Sequence, residues 1–231
     1  MPRPTTPLLS RARILAAALE LVDTTGTFTT PKLAARLSVS TSSLYHHVPG
    51  GREEVVEGLR GLLCEGALPA AAAPGEGWRE FAGRWARGYR AAMAAHPRVV
   101  PLLTAQTVSD PATLAGYEAL ARVLHADGFA DEDLLHAVTV LDCLVLGSAL
   151  DAGAPVDVWA DSGDPASALS RAIGATRAQP GDRSQRSFEI GLESVLDGLA
   201  RLRAPGRPAA RPARGGTGGR GERGVRSPGP P

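Results

Sequence analysis

Two helix-forming segments, residues 31–37 and 41–48, are separated by only Ser38-Val39-Ser40. An isolated helix shorter than about 12–15 residues is marginal in water, so neither segment can stand alone. Each must bury an apolar stripe against a neighbour, and a three-residue joint leaves only crossed helices as the solution. The punctuation agrees. Thr30 stands at the cap before Pro31 at the first helical position, Ser40 caps the second segment, and Pro49-Gly50-Gly51 stops it. Ala34 and Ala35 permit close approach, while Leu33, Leu37, Val39 and Leu44 supply a small core.

The rest of the chain also reads as helical. Aromatic residues are only 4% of the 231, so the core is mainly Ala, Leu and Val, and Ala with Leu favours helix over sheet. After Ser10, residues Ile14, Ala17, Ala18, Leu21 and Val22 share one helical face that ends at Gly26. A further helix begins near Arg52 and runs through Val55, Val56, Leu59, Leu62 and Leu63. Ala70–Ala73, flanked by Pro69, Pro74, Gly75 and Gly77, marks a joint at 67–77. Beyond it Trp78, Phe81, Ala82, Trp85 and Tyr89 share a face. Residues 98–109 read as a short helix with loops. Helix 112–127 points Leu114, Tyr117, Leu120, Ala121 and Leu124 inward. Helix 131–151 is the most apolar, 165–177 is weaker, and 184–203 is amphipathic through Phe188, Leu192, Val195, Leu196 and Leu199.

The expected fold is therefore all-α. A flexible arm (1–9) precedes a three-helix head (10–66), the linker (67–77), a larger helical domain (78–203) and a tail (204–231). The tail holds eight glycines, six prolines and almost nothing apolar, a composition that predicts disorder.

Charge divides along the same lines. Residues 1–52 carry a net +4, 53–203 carry −8, and the tail carries +5 through six arginines against Glu222. A polyanion is expected at the ends rather than the middle. Cys64 and Cys143 are too few for a disulfide scaffold, which fits a reducing cytoplasm. The apolar run 134–150 includes His136 and Asp142 and is 17 residues long, short of the roughly 20 that a membrane span needs. The stretch 14–22 follows Arg11 and Arg13 as a leader would, but Glu20 interrupts it and no cleavage site follows.

A helix that enters a DNA major groove, about 12 Å wide, needs a short polar outer face. The second segment offers Thr41, Ser42, Ser43 and His46. Tyr45 and His47 lie near its end, where phosphates pass, although Tyr45 also suits a capping core aromatic and the histidines a plain surface. Arg52 adds a cation at the next helix start.

Residues 10–66 resemble the DNA-binding domain of the tetracycline-repressor (TetR/AcrR) family of bacterial transcription regulators. The resemblance rests on Arg13-Ile14-Leu15 through Val22, Phe28-Thr29-Thr30, Leu33-Ala34 with Leu37, Val39-Ser40, and Leu44-Tyr45-His46-His47-Val48-Pro49-Gly50-Gly51-Arg52-Glu53-Glu54-Val55. It implies that Thr30 caps its helix and touches phosphate, and that Thr41, Ser42 and Ser43 approach bases. It further implies that Tyr45 and His47 clamp the backbone and that Arg52 replaces a phosphate-binding lysine. Ser38 departs from the family's usual turn glycine, and Gly50-Gly51 lengthens the following loop by one residue.

Residues 78–203 are more weakly similar to the same family's C-terminal domain. The matching elements are Trp78-Arg79-Glu80-Phe81, Gly128-Phe129, Leu146-Gly147-Ser148-Ala149-Leu150, and Phe188-Glu189 with Gly191-Leu192 through Leu196-Asp197-Gly198-Leu199. The resemblance implies dimerisation, with helices 131–151 and 184–203 pairing as a four-helix bundle, and a small-molecule pocket.

Asp142, set between Leu141 and Cys143 in the apolar helix, must be paired or protonated if buried. It could meet a ligand, pair across a dimer or face solvent, and Thr139 is spaced to share its face. Trp85, Tyr89, Leu103 and Tyr117 are the other candidate pocket residues, with plain core as the competing role of Trp85 and Tyr89. The segment where tetracycline repressors place a metal-linked histidine reads Val100-Pro101-Leu102-Leu103. The expected ligand is therefore mostly apolar and not a magnesium chelate. Histidines 96, 125 and 136 lack ligand spacing, so no metal or other cofactor is expected. No nucleophile elbow, phosphate loop or paired-carboxylate spacing supports an enzyme.

The reading is of a homodimeric, ligand-responsive repressor on near-palindromic double-stranded DNA, with no membrane partner. The alternative is a helical protein-interaction regulator with a degenerate DNA-binding head.

Overall fold

A computed structural model describes residues 9–203. The expectations for most of the arm and for the tail fall outside them, although Leu9 already packs on the core. All helices and turns of the head form where the sequence punctuation places them. The helix α1 (Arg11–Thr25) is capped by the Ser10 hydroxyl and ends on Gly26 at φ 78°. Next come α2 (Thr30–Leu37), α3 (Thr41–His47) and α4 (Gly51–Cys64). Phe28, Leu33, Ala34, Leu44 and Val48 are buried beneath them with Ile14, Ala18 and Val22 of α1.

The cap of α2 differs from expectation. The Thr29 hydroxyl, not that of Thr30, accepts the Lys32 amide at 3.3 Å, and Thr30 is the first helical residue. In T-T-P both threonines satisfy the sequence rule, and only the backbone dihedrals separate them. Thr29 is extended at φ −124°, ψ 153°, as a cap must be.

The larger domain comprises α5 (Trp78–Ala95), a single 3₁₀ turn (Pro97–Val99), α6 (Val100–Thr104), α7 (Pro111–Ala126), α8 (Asp131–Ala152), α9 (Ala168–Arg177) and α10 (Arg183–Leu199), closed by a second 3₁₀ turn, Ala200–Leu202. The helix α8 is long and apolar enough to cross a membrane by length and composition alone. Here it packs against α5, α7 and α10, burying Ala137, Leu141, Val145 and Ala149. The phase of α7 also differs from expectation. Leu114 is 45% exposed, and the buried stripe runs through Thr113, Gly116, Leu120 and Leu124. Gly116 sets that phase, because a Cβ there would meet the Leu68 side chain at 2.7 Å. Leu62 of α4 likewise faces outward.

Two joints hold the head to the larger domain. The guanidinium of Arg98 donates to the carbonyls of Asp23 and Thr24, at 3.0 and 2.6 Å, and so caps the C-terminal end of α1. His96 Nδ1 lies 2.8 Å from Asp23 Oδ2 beside it. The second joint is α4, which belongs to both domains. Its Arg60 is 3% exposed and donates to the Leu103 carbonyl at 2.7 Å, to the Gln106 carbonyl at 3.4 Å and to Glu57 at 2.8 Å. Glu57 in turn accepts from the Ser109 and Asp110 amides at 2.9 and 3.0 Å. Burial raises the Glu57 pKa, but the Ser109 amide and Arg60 outweigh it and hold the carboxyl below its ordinary range.

Candidate DNA interface and effector site

The outer face of α3 is polar because only Leu44 points inward from this seven-residue helix. Thr41, Ser42, Tyr45, His46 and His47 are exposed. Ser43 is not equally free. Its amide donates to the Ser40 hydroxyl at 3.1 Å and its own hydroxyl lies 2.9 Å from the same oxygen, so part of its bonding capacity goes to the cap.

Tyr45 is 49% exposed, and its ring leans on Gly51 at the start of α4. Gly51 has φ 61°, and a Cβ there would sit 3.2 Å from the Tyr45 ring. The longer Gly50-Gly51 loop thus makes room for the tyrosine. Arg52 is exposed, but it folds back with its guanidinium 5.0 Å over the Phe28 ring and 3.4 Å from the Thr27 hydroxyl. Thr30 is half-buried at the start of α2, some distance along the chain from α3. Lys32, exposed in the first turn of α2, is a cation on the head that the sequence reading left without a role.

The turn between α2 and α3 depends on Ser38, the one non-glycine at positive φ among the described residues (φ 57°, ψ 42°). The Val39 amide closes the end of α2 on the Ala34 carbonyl at 3.0 Å. The family's usual glycine would adopt this conformation without strain.

In the larger domain four of the six candidate pocket residues meet. Trp85 and Tyr89 are fully buried on α5, Tyr117 is half-buried on α7, and Asp142 is half-buried on α8. The rings of Trp85 and Tyr89, Trp85 and Tyr117, and Tyr89 and Tyr117 are all edge-to-face, with centroids 5.3, 5.4 and 6.3 Å apart. The Tyr117 hydroxyl lies 2.6 Å from Asp142 Oδ1 and 3.4 Å from the Tyr89 hydroxyl. A phenol has one proton. With that of Tyr117 committed to the shorter bond, Tyr89 donates to Tyr117.

Burial raises the Asp142 pKa, and Tyr117 only partly offsets it. Burial also raises both tyrosines. Nearby Cys64 is pushed up to about 11 by burial and stays a thiol. Leu103 is buried on α6, with its carbonyl held by Arg60.

Thr139 does not share the face of Asp142. It is exposed, and its hydroxyl donates to the Leu135 carbonyl. Three residues along a helix turn about 300°, so a pair at that spacing parts wherever the buried stripe is narrow. Sequence reasoning also missed the Glu57–Arg60 joint, for which i,i+3 spacing was the only signal.

Comparisons with known proteins agree with this architecture. Residues 69–203 match the family described as "Tetracyclin repressor-like, C-terminal domain". Among curated relatives, a transcriptional regulator of the helix-turn-helix type from Saccharopolyspora erythraea is 29% identical over 210 residues, covering 85% of this chain and 86% of its own. The class A tetracycline repressor from transposon 1721 of Escherichia coli is 28% identical over 197 residues, covering 82% and 90%. Among solved structures, apo ActR from Streptomyces coelicolor superposes with a TM-score of 0.69 at 26% identity, covering 84% of this chain and 96% of that one. The family match spans more than half of the chain, and its first residue lies in the linker that the sequence reading placed at 67–77. The chain belongs to the tetracycline-repressor family of transcription regulators.

Proposed function

We propose that this regulator is a homodimeric repressor that leaves a near-palindromic operator when a small, mostly apolar effector enters the larger domain. The observation that carries the reading is the outward polar face of α3, with Thr41, Ser42, Tyr45, His46 and His47 exposed around a single buried leucine. Relatives named as repressors support the direction of control. Dimerisation is supported by an uncharged outer face on α8 and α10, where Leu135 is 72% and Ile190 is 64% exposed. Two copies related by a two-fold axis would present two α3 helices about one DNA turn, roughly 34–36 Å, apart. Acting on DNA places the protein in the cytoplasm.

In this reading the head (10–66) binds DNA and the domain 78–203 binds the effector, with α4 between them. An effector beside Tyr117 and Asp142 displaces α6 against Arg60. Arg60 and Glu57 then carry the shift along α4 to Gly51 and Tyr45, changing the spacing of the two α3 helices. Only a few kcal/mol of differential affinity are required.

The test is selection of bound sequences from a random double-stranded pool, followed by anisotropy titration of the selected site. Tyr45→Phe is expected to lower affinity by about 1.5–3 kcal/mol, the worth of a hydrogen bond to a charged group, with an unchanged melting temperature. A pool that yields no preferred site would overturn the reading in favour of the protein-interaction alternative.

A further inference from the structure

Asp142 is a half-buried carboxylate with an incomplete set of partners. Oδ1 accepts from Tyr117, while Oδ2 accepts no hydrogen bond among the described residues. A single neutral phenol is weak compensation for a partly desolvated negative charge. The one cation acting on it, Arg60, is already engaged by Glu57 and by two carbonyls. Around the carboxylate stand three aromatic rings whose polar atoms are largely committed. The Trp85 Nε1–H donates to the Gly116 carbonyl at 3.2 Å, and the two tyrosine hydroxyls bond in series toward Asp142. What remains for a ligand is one anionic oxygen and ring surface. This combination attracts a positive nitrogen, satisfies a neutral ligand less well, and repels an organic anion.

We infer that the effector is a lipophilic organic cation whose ammonium group takes the place of the Tyr117 hydroxyl at Asp142 while its apolar body lies among Trp85, Tyr89 and Tyr117. The inference rests on the proposed ligand-responsive reading and adds the charge of the ligand to it. Tyr117 is the element that moves. It is the ring of the three that reaches solvent, and its hydroxyl occupies the bonding position that the cation claims.

The experiment uses the full chain and three dansyl-alkyl probes that differ only at the terminus. One ends in trimethylammonium, one in its neutral tert-butyl isostere and one in sulfonate. Fluorescence titration is expected to rank them in that order, with the cation about tenfold tighter than the neutral isostere, the worth of a desolvated cation–aromatic and ion contact. Asp142→Asn, which keeps shape and an acceptor for Tyr117, is expected to abolish the preference while leaving binding of the neutral probe unchanged. Tyr117→Phe, which frees the carboxylate, is expected to tighten the cation. Equal binding of cation and isostere, no binding of the cation, or a preference that survives Asp142→Asn would overturn the inference. Operator binding by the same preparation without probe separates the two readings. If it holds while the preference is absent, the regulator stands and the cation fails; if it is lost, the regulator reading fails on its own.

Discussion

The two polar surfaces of this molecule sit in opposite dielectric settings. On α3 the hydroxyls and imidazoles face water, where an unpaired polar group costs almost nothing until a duplex arrives. Between α5, α7 and α8 the polar atoms are half-sunk among aromatic rings, and each must bond or lose free energy continuously. The head can therefore change its binding residues without changing its stability. In the larger domain binding and stability are written in the same atoms, and the joint between the two regions inherits that coupling.

The strongest way to break this contrast is to cut the joint. Arg60 and Glu57 form a nearly buried pair, with side chains 4% and 15% exposed. Arg60→Met keeps the volume but strips two carbonyls and a carboxylate of their donor. Removing one member of a buried pair costs about 3–5 kcal/mol, measurable by urea unfolding. The loss is expected to include docking of α4, so residual operator binding should stop responding to effector. Full stability in Arg60→Met would show that the head is held by α1 and Arg98 instead. Acid acts in the same direction. Because the folded Glu57 pKa is depressed, its contribution is present above its unfolded value and is lost as pH falls through the folded one.

The core triad responds with the opposite sign. Tyr117→Phe removes the only donor to Asp142 and is expected to cost about 1–3 kcal/mol at neutral pH, seen as a lower melting temperature. Asp142→Asn goes the other way. The folded pKa of Asp142 is raised, so its charge destabilises the fold above that pKa, and the penalty fades as pH falls toward the unfolded value, about 3.9. The variant should gain about 1 kcal/mol at pH 7, and the gain should shrink in acid. A constant gain across pH would show that packing rather than charge is responsible.

The same contrast explains what could be read from the sequence. In the head, function and fold are local. Ser10, Ser40, Pro31 and the Gly50-Gly51 stop fix helix ends within a few residues, and the outward face of α3 follows from the single inward Leu44. Even there, the choice between Thr29 and Thr30 as cap depended on a dihedral that composition does not encode. In the larger domain the aromatic face of α5 was legible by periodicity. The meeting of Tyr89, Tyr117 and Asp142 spans three helices and depends on the phase of α7, which Gly116 sets through contact with Leu68. Thr139 was misplaced for a related reason, since helical spacing alone does not say how wide the buried stripe of α8 is. The Glu57–Arg60 joint uses the backbone of residues 103–110 as its partner, and backbone carries no sequence signature.

The smallest expected effect sharpens the comparison from the head's side. Ser38 occupies the left-handed region at φ 57°, where an L-residue with a Cβ is strained by roughly 1–2 kcal/mol. Glycine relieves the strain and loses part of the gain through greater freedom of the unfolded chain. Ser38→Gly should therefore stabilise by about 0.5–1 kcal/mol, a rise of roughly 2–4 °C per kcal/mol in a chain of this size. Because the side chain is exposed and bonds to nothing in the recognition face, operator affinity should be unchanged. A gain in stability that left DNA binding intact, beside a gain in Asp142→Asn that abolished effector preference, would demonstrate the separation of the two settings in one protein. A loss of affinity in Ser38→Gly would instead show that the strained turn helps to hold α3 at its angle to the duplex, and that the head too couples stability to function.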